Sequence, residues 1–225
     1  SSRKQVLLQV YETLFHYDID GNLVGVLAKG YERNGRDYDI ELYDNIYDAA
    51  GNHFTADDVI WCLDTYREKV ANSDISNFES WEKTGDYSVR MTVKDDGVTT
   101  FYAAIPMLWM VTKAAYDASG ENMSVSNVVT TAHYQVKEYT TGSTLVAVKN
   151  ENYWQPEDKL TCDVQKANVD TIVYNFMEEA AQIVVALESG TLDFAFVDFN
   201  QADRFMEGGA EADRFTAREV ATWGG

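Results

Sequence analysis

Apolar side chains recur at helical spacing near the start of this chain. They stand three or four residues apart, which predicts a helix over residues 5–15, because one face of a helix repeats every 3.6 residues. The positions are Leu7, Leu8, Tyr11, Leu14 and Phe15. Residues 18–22 are polar, and Gly21 among them can adopt a positive φ, so a turn is predicted there. A short apolar segment follows at residues 23–27.

The clearest helix start lies at Thr55. Thr55 is a favourable N-cap residue, and Asp58 can complete a capping box with it. Phe54 and Val59 stand at the two positions of a hydrophobic staple. An apolar stripe continues to about residue 70, which predicts an amphipathic helix.

Strict alternation of apolar and polar residues predicts several strands. Residues 38–42 and 87–93 alternate in this way, and the second segment ends at a predicted turn over residues 95–97. Residues 134–139 and 144–149 flank a short polar segment, which predicts a hairpin.

The last third of the chain has a β-α-β pattern. Residues 170–176 and 192–197 are predicted strands, and Gly190 is a suitable C′ residue for the helix between them. The apolar face of that helix is formed by Ala180, Ile183, Val184 and Leu187. Such a unit normally closes with parallel strands.

Two further segments complete the prediction. A short helix is expected near residues 100–104. Residues 117–133 are small and polar, and they are predicted to form a linker or a long loop. The elements together predict a mixed α/β (α+β) fold.

The charge balance argues against nucleic acid as a partner. The 225 residues include 18 Lys and Arg and 37 Asp and Glu, for a formal net charge of −19. A surface this acidic repels phosphate backbones and anionic lipids, so nucleic acid is not expected as a partner. The acidity itself fits a solvated surface and identifies no partner.

Composition otherwise indicates a folded protein. With 45% apolar and 13% aromatic residues, the chain can form a substantial core. The longest apolar run, residues 101–111, contains Pro106 and is well short of the roughly 20 residues that span a bilayer. No signal peptide opens the sequence, so the targeting segment of an exported protein is expected to have been removed or to lie outside it.

Two cysteines leave two interpretations open. Cys62 and Cys162 form no CxxC motif, and they are either one disulfide or two buried thiols. Cys62 lies on the apolar side of the helix predicted after Thr55, which favours a packed thiol.

The sequence contains no catalytic motif. His16, His53 and His133 are scattered, and none has metal-ligand spacing. The acidic pairs at residues 57–58 and 178–179 lie at predicted helix starts, where the helix dipole accounts for them. We therefore expect neither a cofactor nor a resident metal.

Aromatic residues exceed what a small core needs. The chain contains 5 Trp and 14 Tyr. Collectively they suit a cleft that holds an amphipathic solute between apolar walls with a few polar groups.

Four short motifs occur in order along the chain. Their sequences are VYETLF (residues 10–15, followed by YDIDGNLV at residues 17–24), FTADDV (residues 54–59), the hairpin strand YQVKEY with the later KNENYW (residues 134–139 and 149–154), and ALESGTLD (residues 186–193). In this order they resemble the motifs of the family 5 extracellular solute-binding proteins, which are the oligopeptide-, dipeptide- and nickel-binding components of ABC importers.

The resemblance implies a periplasmic-binding-protein-like lobe with a mixed β-sheet and flanking helices. In that family two lobes close on a peptide or similar small solute outside the cytoplasmic membrane and present it to the permease subunits of an ABC transporter. No bond is made or broken, so the chain is not expected to be an enzyme. It is expected in the periplasm or on the cell surface as a lipoprotein.

The resemblance also implies a domain organisation. An α/β subdomain is expected from residues 1–29 and 126–225, with a β-rich subdomain of residues 30–125 inserted into it. The chain is expected to be most of an N-terminal lobe, with the second lobe absent.

Five residues are expected nearest the solute cleft, with ordinary packing as the alternative for each. They are Tyr11, Met107, Trp109, His133 and Tyr134. The chain departs from the family pattern at residues 130–134, where TTAHY replaces Gly-Thr-Gly-Pro-Tyr. Because this replacement changes the backbone, no role of that loop is carried over.

Two other function classes make different structural demands. A carbohydrate-active enzyme with an acidic cleft requires two carboxylates that face one pocket, one of them with a raised pKa. An interaction module without a solute requires a flat apolar patch instead of a concave aromatic wall.

Overall fold

A computed structural model describes residues 2–70, 73–95, 98–120 and 129–218. The helices are α1 (Ser2–Val10), α2 (Ala56–Lys69), α3 (Val98–Ala104), α4 (Lys113–Ala118), α5 (Ala180–Glu188) and α6 (Phe199–Ala202). The strands are β1 (Glu12–Thr13), β2 (Phe15–Tyr17), β3 (Leu23–Gly25), β4 (Ala28–Asn34), β5 (Asp37–Leu42), β6 (Phe78–Gly85), β7 (Ser88–Val93), β8 (Trp109–Met110), β9 (Tyr134–Thr140), β10 (Thr144–Lys149) and β11 (Thr171–Asn175).

The chain divides into two compact units, residues 1–174 and 175–225. Among the described helices, none is both long enough and apolar enough to cross a membrane. The subdomain boundaries expected at residues 30 and 125 stay a prediction.

The largest sheet of the first unit is antiparallel, with strand order β4-β5-β7-β6. The predicted alternation in β5 is confirmed, since Tyr38, Ile40 and Leu42 are buried while their neighbours are not. In β7 the buried positions are Val89, Met91 and Val93. Helix α2 packs against β6 and β7. The apolar faces of sheet and helix therefore form one core.

Aromatic rings fill the centre of this core. Phe101 of α3 stacks on Tyr38 with ring centroids 3.8 Å apart and the planes 4° from parallel. Phe15, Tyr31 and Phe78 also contact Phe101 in tilted or edge-to-face arrangements. Part of the aromatic excess in the sequence is thus used for packing.

The predicted start of α2 is confirmed. The backbone N–H of Thr55 donates to Oδ2 of Asp58 at 2.8 Å, as a capping box requires. Oδ1 of Asp58 accepts the backbone N–H of Lys113 at 2.8 Å. One buried carboxylate therefore fixes the starts of both α2 and α4. Phe54 and Val59 are fully buried beside it.

A second core cluster lies under the predicted hairpin, which is confirmed as β9 and β10. Strand β11 joins it in the order β11-β10-β9. The buried members of the cluster are Val6, Val10, Tyr134, Leu145 and Ala147. Helix α1 thus covers this sheet with its apolar side.

The N-terminal helix is shorter than predicted. It ends at Val10; Leu14 forms a bend between β1 and β2, and Phe15 begins β2, instead of a further helical turn. The competing interaction is strand pairing, because Glu12 and Thr13 pair with Met110 and Trp109. The turn after it is confirmed: Gly21 has φ 82°, and Asp18 Oδ1 accepts the N–H of Asn22 at 2.8 Å.

The second unit corrects the β-α-β prediction. Helix α5 and the positive φ of Gly190 (74°) are confirmed, but residues 192–197 form no ladder with any described strand. Their inner side chains do pack on the helix, while Phe194 is 72% exposed. An apolar run thus predicted a segment that packs on the helix, but a strand also needs partners for its backbone groups, so the strand predicted at residues 192–197 was wrong.

Two predicted loops fall partly outside the described residues. Residues 121–128 and residues 96–97 are among those that the structure does not describe. Residues 130–133 lie outside helices and strands, as predicted for a loop, but they are buried. The predicted helix near residues 100–104 is confirmed as α3.

The two cysteines are free, buried thiols. The Cys62 Sγ donates to the carbonyl oxygen of Val111 at 3.3 Å. The Cys162 Sγ lies 3.5 Å from the carbonyl oxygen of Tyr17. The interpretation as packed thiols therefore holds.

We predict that Asp58→Ala lowers the free energy of unfolding by about 2 kcal/mol, because two backbone N–H groups lose a buried acceptor. The neighbouring Asp57 is the matched control. Its side chain is 74% exposed and pairs with Lys83 on the surface, so Asp57→Ala should cost less than about 1 kcal/mol. Urea unfolding followed by circular dichroism measures both, and equal losses would contradict the capping role of Asp58.

Candidate functional site

The candidate site is built where β1 pairs with β8. The register Glu12↔Met110 and Thr13↔Trp109 brings the N-terminal segment beside Trp109. Tyr66 of α2 fixes the backbone of Trp109. Its hydroxyl donates to the carbonyl oxygen of Trp109 at 3.2 Å and accepts the backbone N–H of Trp109 at 3.0 Å. The rings of Tyr11 and Trp109 lie side by side, with centroids 6.4 Å apart.

A narrow crevice lies next to these two rings. Its lining residues are Leu8, Tyr11, Glu12, Thr13, His16, Val26, Trp109, His133, Val164 and Gln165. Its volume is about 10 Å³, which is room for about one water molecule. Tyr11 and Trp109 are half-buried, whereas Glu12 and His133 are buried. The crevice thus has a partly exposed aromatic side and a buried polar end.

Glu12 is a buried carboxylate that several donors surround. The Tyr153 hydroxyl and the Trp154 indole N–H donate to its two oxygens, the latter at 3.1 Å. Gln165 extends the network, since its amide donates to the Tyr153 hydroxyl at 3.1 Å and to Gln155 at 2.8 Å. Burial raises the pKa of Glu12 from 4.5 to about 7 although hydrogen bonds from its neighbours oppose the shift.

His133 forms the other buried polar group of the crevice. Its Nε2 lies 3.3 Å from Oε1 of Gln9, and its ring contacts Tyr134 and Tyr153 edge-to-face. Its Nδ1 is buried and has no hydrogen-bond partner among the residues that the structure describes. Burial lowers the pKa of His133 from 6.5 to about 4, so the imidazole is neutral at physiological pH.

The structure brings together three of the five residues expected at a cleft. Tyr11, Trp109 and His133 line the crevice, and Met107 and Tyr134 do not. Met107 is half-buried at the end of a short 3₁₀ helix. Tyr134 is buried in the second core cluster, and its hydroxyl donates to the carbonyl oxygen of Val169 at 2.6 Å. Its ring thus packs like an ordinary core residue.

Sequence reasoning missed Glu12, His16 and Gln165. Glu12 offered one signal, because it is the one charged residue of the segment VYETLF. Gln165 lies far along the chain and reaches the site through the Tyr153 network, which no local pattern reveals.

Among the described residues, the crevice lacks the two facing carboxylates that a glycosidase requires. No group of three His, Cys, Asp or Glu side chains within the described ranges is placed to hold a metal ion. Glu12 is the one acidic residue among those that line the crevice. A glycosidase-type mechanism needs a second carboxylate facing the same pocket, so the crevice does not meet the demand of that alternative.

A second concavity of about 470 Å³ lies at the end of α2. Two of its charged residues are already engaged: Arg67 lies over the Trp81 ring at 3.5 Å, and Glu79 pairs with Arg36 at 2.5 Å. It also lacks an aromatic pair like that of Tyr11 and Trp109, so the crevice is the stronger candidate.

The sequence matches one family model. The model describes the bacterial extracellular solute-binding proteins of family 5, and the match covers residues 22–221. Among curated proteins, none matches the sequence.

Several solved structures share the fold. NikZ from Campylobacter jejuni, solved with Ni(L-His), has a TM-score of 0.74 and 21% identity, over 90% of this chain and 41% of that one. The oligopeptide-binding protein AppA from Bacillus subtilis, solved with a nonapeptide, has a TM-score of 0.76 and 21% identity, over 91% and 42%. OppA from Burkholderia pseudomallei has a TM-score of 0.75 and 15% identity, over 90% of this chain and 44% of that one. The chain thus spans about two fifths of their length.

The shifted pKa values of Glu12 and His133 make opposite contributions to stability. Folded Glu12 keeps its proton up to pH about 7, whereas the unfolded chain loses it near 4.5, so its contribution falls as the pH rises through this window. Unfolded His133 gains a proton below 6.5, whereas folded His133 gains it near 4, so its contribution falls as the pH drops. Each pKa shift changes the free energy of unfolding by on the order of 3 kcal/mol across its pH window.

We therefore predict opposite pH trends for two variants, each compared with the unmodified protein. Between pH 7 and 4.5, Glu12→Gln should lose about 3 kcal/mol of relative stability, because it cannot take up the stabilising proton. Between pH 6.5 and 4, His133→Phe should gain a similar amount, because it avoids the buried imidazolium. Urea unfolding at a series of pH values measures both trends. A stability difference between variant and unmodified protein that stays constant across these pH values would refute the predicted trends.

Proposed function

This chain belongs to the family 5 bacterial extracellular solute-binding proteins, and from that membership we propose that it is part of the solute-binding component of an ABC import system. In this role it helps to capture a peptide or a similar small solute outside the cytoplasmic membrane. The complete component delivers the solute to the permease subunits in the membrane. Either a periplasmic protein or a surface lipoprotein performs that task.

The observation that carries the proposal is the aromatic pair beside a crevice with a buried polar end. Tyr11 and Trp109 present rings to the crevice, and Glu12 and His133 supply polar atoms. Solute sites combine apolar walls with a few convergent polar groups in this way. A second protein segment that closes over the rings would complete the burial of a solute.

The five expected residues have different proposed roles. Tyr11 and Trp109 form the wall, and His133 forms the polar end. Met107, which is half-buried and precedes Trp109 by two residues, lies outside the crevice, and we propose that it contacts only a solute larger than the crevice itself. Tyr134 supports His133 from the core, because their rings are 5.0 Å apart.

We propose binding without catalysis. The solved relatives hold bound solutes, a nickel–histidine complex in NikZ and a nonapeptide in AppA. The single carboxylate of the crevice agrees with this view. A concave site with polar groups also distinguishes the chain from an interaction module with a flat apolar patch.

We predict that Trp109→Ala abolishes solute binding. The test is an NMR titration of the protein with a mixed nonapeptide library and with Ni(L-His), observed at the indole N–H resonances. Binding is expected to be weak, with a Kd of about 1 mM, because the chain alone covers one side of a solute. The variant should keep its fold, since the Tyr66 hydroxyl bonds to the backbone of residue 109 and not to its ring.

The control for this titration is Tyr47→Ala. Tyr47 is an exposed aromatic residue that stacks on His53 and does not line the crevice, so its removal should leave binding unchanged. Saturable binding that persists in Trp109→Ala would show that the solute site does not include Trp109. The absence of saturable binding of both probes would count against the proposed function.

A further inference from the structure

The hydrogen-bond partner of His133 fixes its tautomer. The atom nearest Nε2 is Oε1 of Gln9, at 3.3 Å. A carboxamide oxygen only accepts hydrogen bonds, so Nε2 must carry the hydrogen. In a neutral imidazole the other nitrogen then has a lone pair and acts as an acceptor. The buried Nδ1 of His133 is therefore an acceptor for which the described residues supply no donor.

A buried acceptor without a donor is costly. Such a group loses its hydrogen bonds to water and costs roughly 1–3 kcal/mol. In most proteins a partner or an ordered water satisfies it. His133 also lines the crevice of about 10 Å³, which is large enough for one water molecule or a group of similar size.

The remaining chemistry of the crevice favours donors over anions. Its lining contains no Lys or Arg, and its one acidic group is the carboxyl of Glu12. The rings of Tyr11 and Trp109 attract cations to their faces. An anionic end of a solute would therefore meet two acceptors and no counter-charge.

We propose that this crevice binds one hydrogen-bond-donating group through Nδ1 of His133: a water molecule in the free protein, and an ammonium or amide N–H of the solute in the complex. The second part rests on the proposed function. It assigns the solute a class, namely molecules that present a cationic or neutral donor rather than a carboxylate to this side of the site. His133 is then a specificity-determining residue.

The acceptor lies where the sequence departs from the family pattern described above. His133 stands in the segment TTAHY, at the position where the family pattern has proline. A proline side chain has no acceptor atom. The acceptor is thus added to the crevice by this residue and does not follow from the family pattern.

The test uses the complete chain with ¹⁵N-labelled histidine. In the free protein, the spectrum of the imidazole should show the Nε2–H tautomer with Nδ1 hydrogen-bonded to a donor. On titration at constant ionic strength and neutral pH, methylammonium chloride should shift the His133 and Trp109 resonances saturably. Sodium acetate should shift neither.

His133→Phe is the decisive variant, because it keeps an aromatic ring and removes both nitrogens. It should weaken methylammonium binding roughly tenfold, the effect of losing one hydrogen bond to a charged group. His53→Phe is the matched control, because His53 does not line the crevice, and it should bind as the unmodified protein does.

Several results would overturn the proposal. These are a protonated Nδ1 in the free protein, acetate binding as tight as methylammonium binding, no saturable shift with methylammonium, or unchanged binding in His133→Phe. Any of them leaves the proposed function standing if the nonapeptide library or Ni(L-His) still binds in a manner that depends on Trp109. Loss of that binding, with the methylammonium result intact, would instead point to a donor site without a role in solute capture.

Discussion

The candidate site depends on one buried carboxylate. Glu12 lies on a strand of two residues that could not hold its position by backbone pairing alone. Tyr153 and Trp154, which follow β10, donate to its two oxygens. Burial of a carboxylate is unfavourable unless donors surround it. The donors offset that cost, and in doing so they draw the segment after β10 onto the start of the first unit.

The hydrogen bonds to Glu12 connect two motifs that are distant in the sequence. VYETLF contains Glu12, and KNENYW contains its donors. Asn150, within the second motif, donates its backbone N–H to the carbonyl oxygen of His133 at 2.8 Å and its side-chain amide to that of Ala132 at 3.2 Å. The segment thus positions the imidazole as well as the carboxylate. The tertiary fold, and not local structure, brings these separated motifs into contact.

Local signals in the sequence predicted those elements that local physics determines. The capping box at Thr55 and Asp58, the alternation around Ile40, and the turn at Gly21 are each set by neighbouring residues, and each is confirmed. The helix expected to reach Phe15 was wrong because pairing with β8 competes with it. The strand expected at residues 192–197 was wrong because an apolar run indicates burial but does not supply a backbone partner. In the site, the aromatic residues were predictable by type, whereas Glu12 and Gln165 depend on long-range contacts.

The opposite pKa shifts of Glu12 and His133 have a single cause. Burial disfavours whichever form is charged, so it raises the pKa of the carboxyl and lowers that of the imidazole. Near neutral pH the carboxyl is therefore partly protonated and the imidazole is uncharged. The buried end of the crevice consequently carries little charge, although the whole chain has a net charge of −19. Hydrogen-bond geometry beside the rings of Tyr11 and Trp109, more than the net charge of the chain, therefore determines what this crevice accepts.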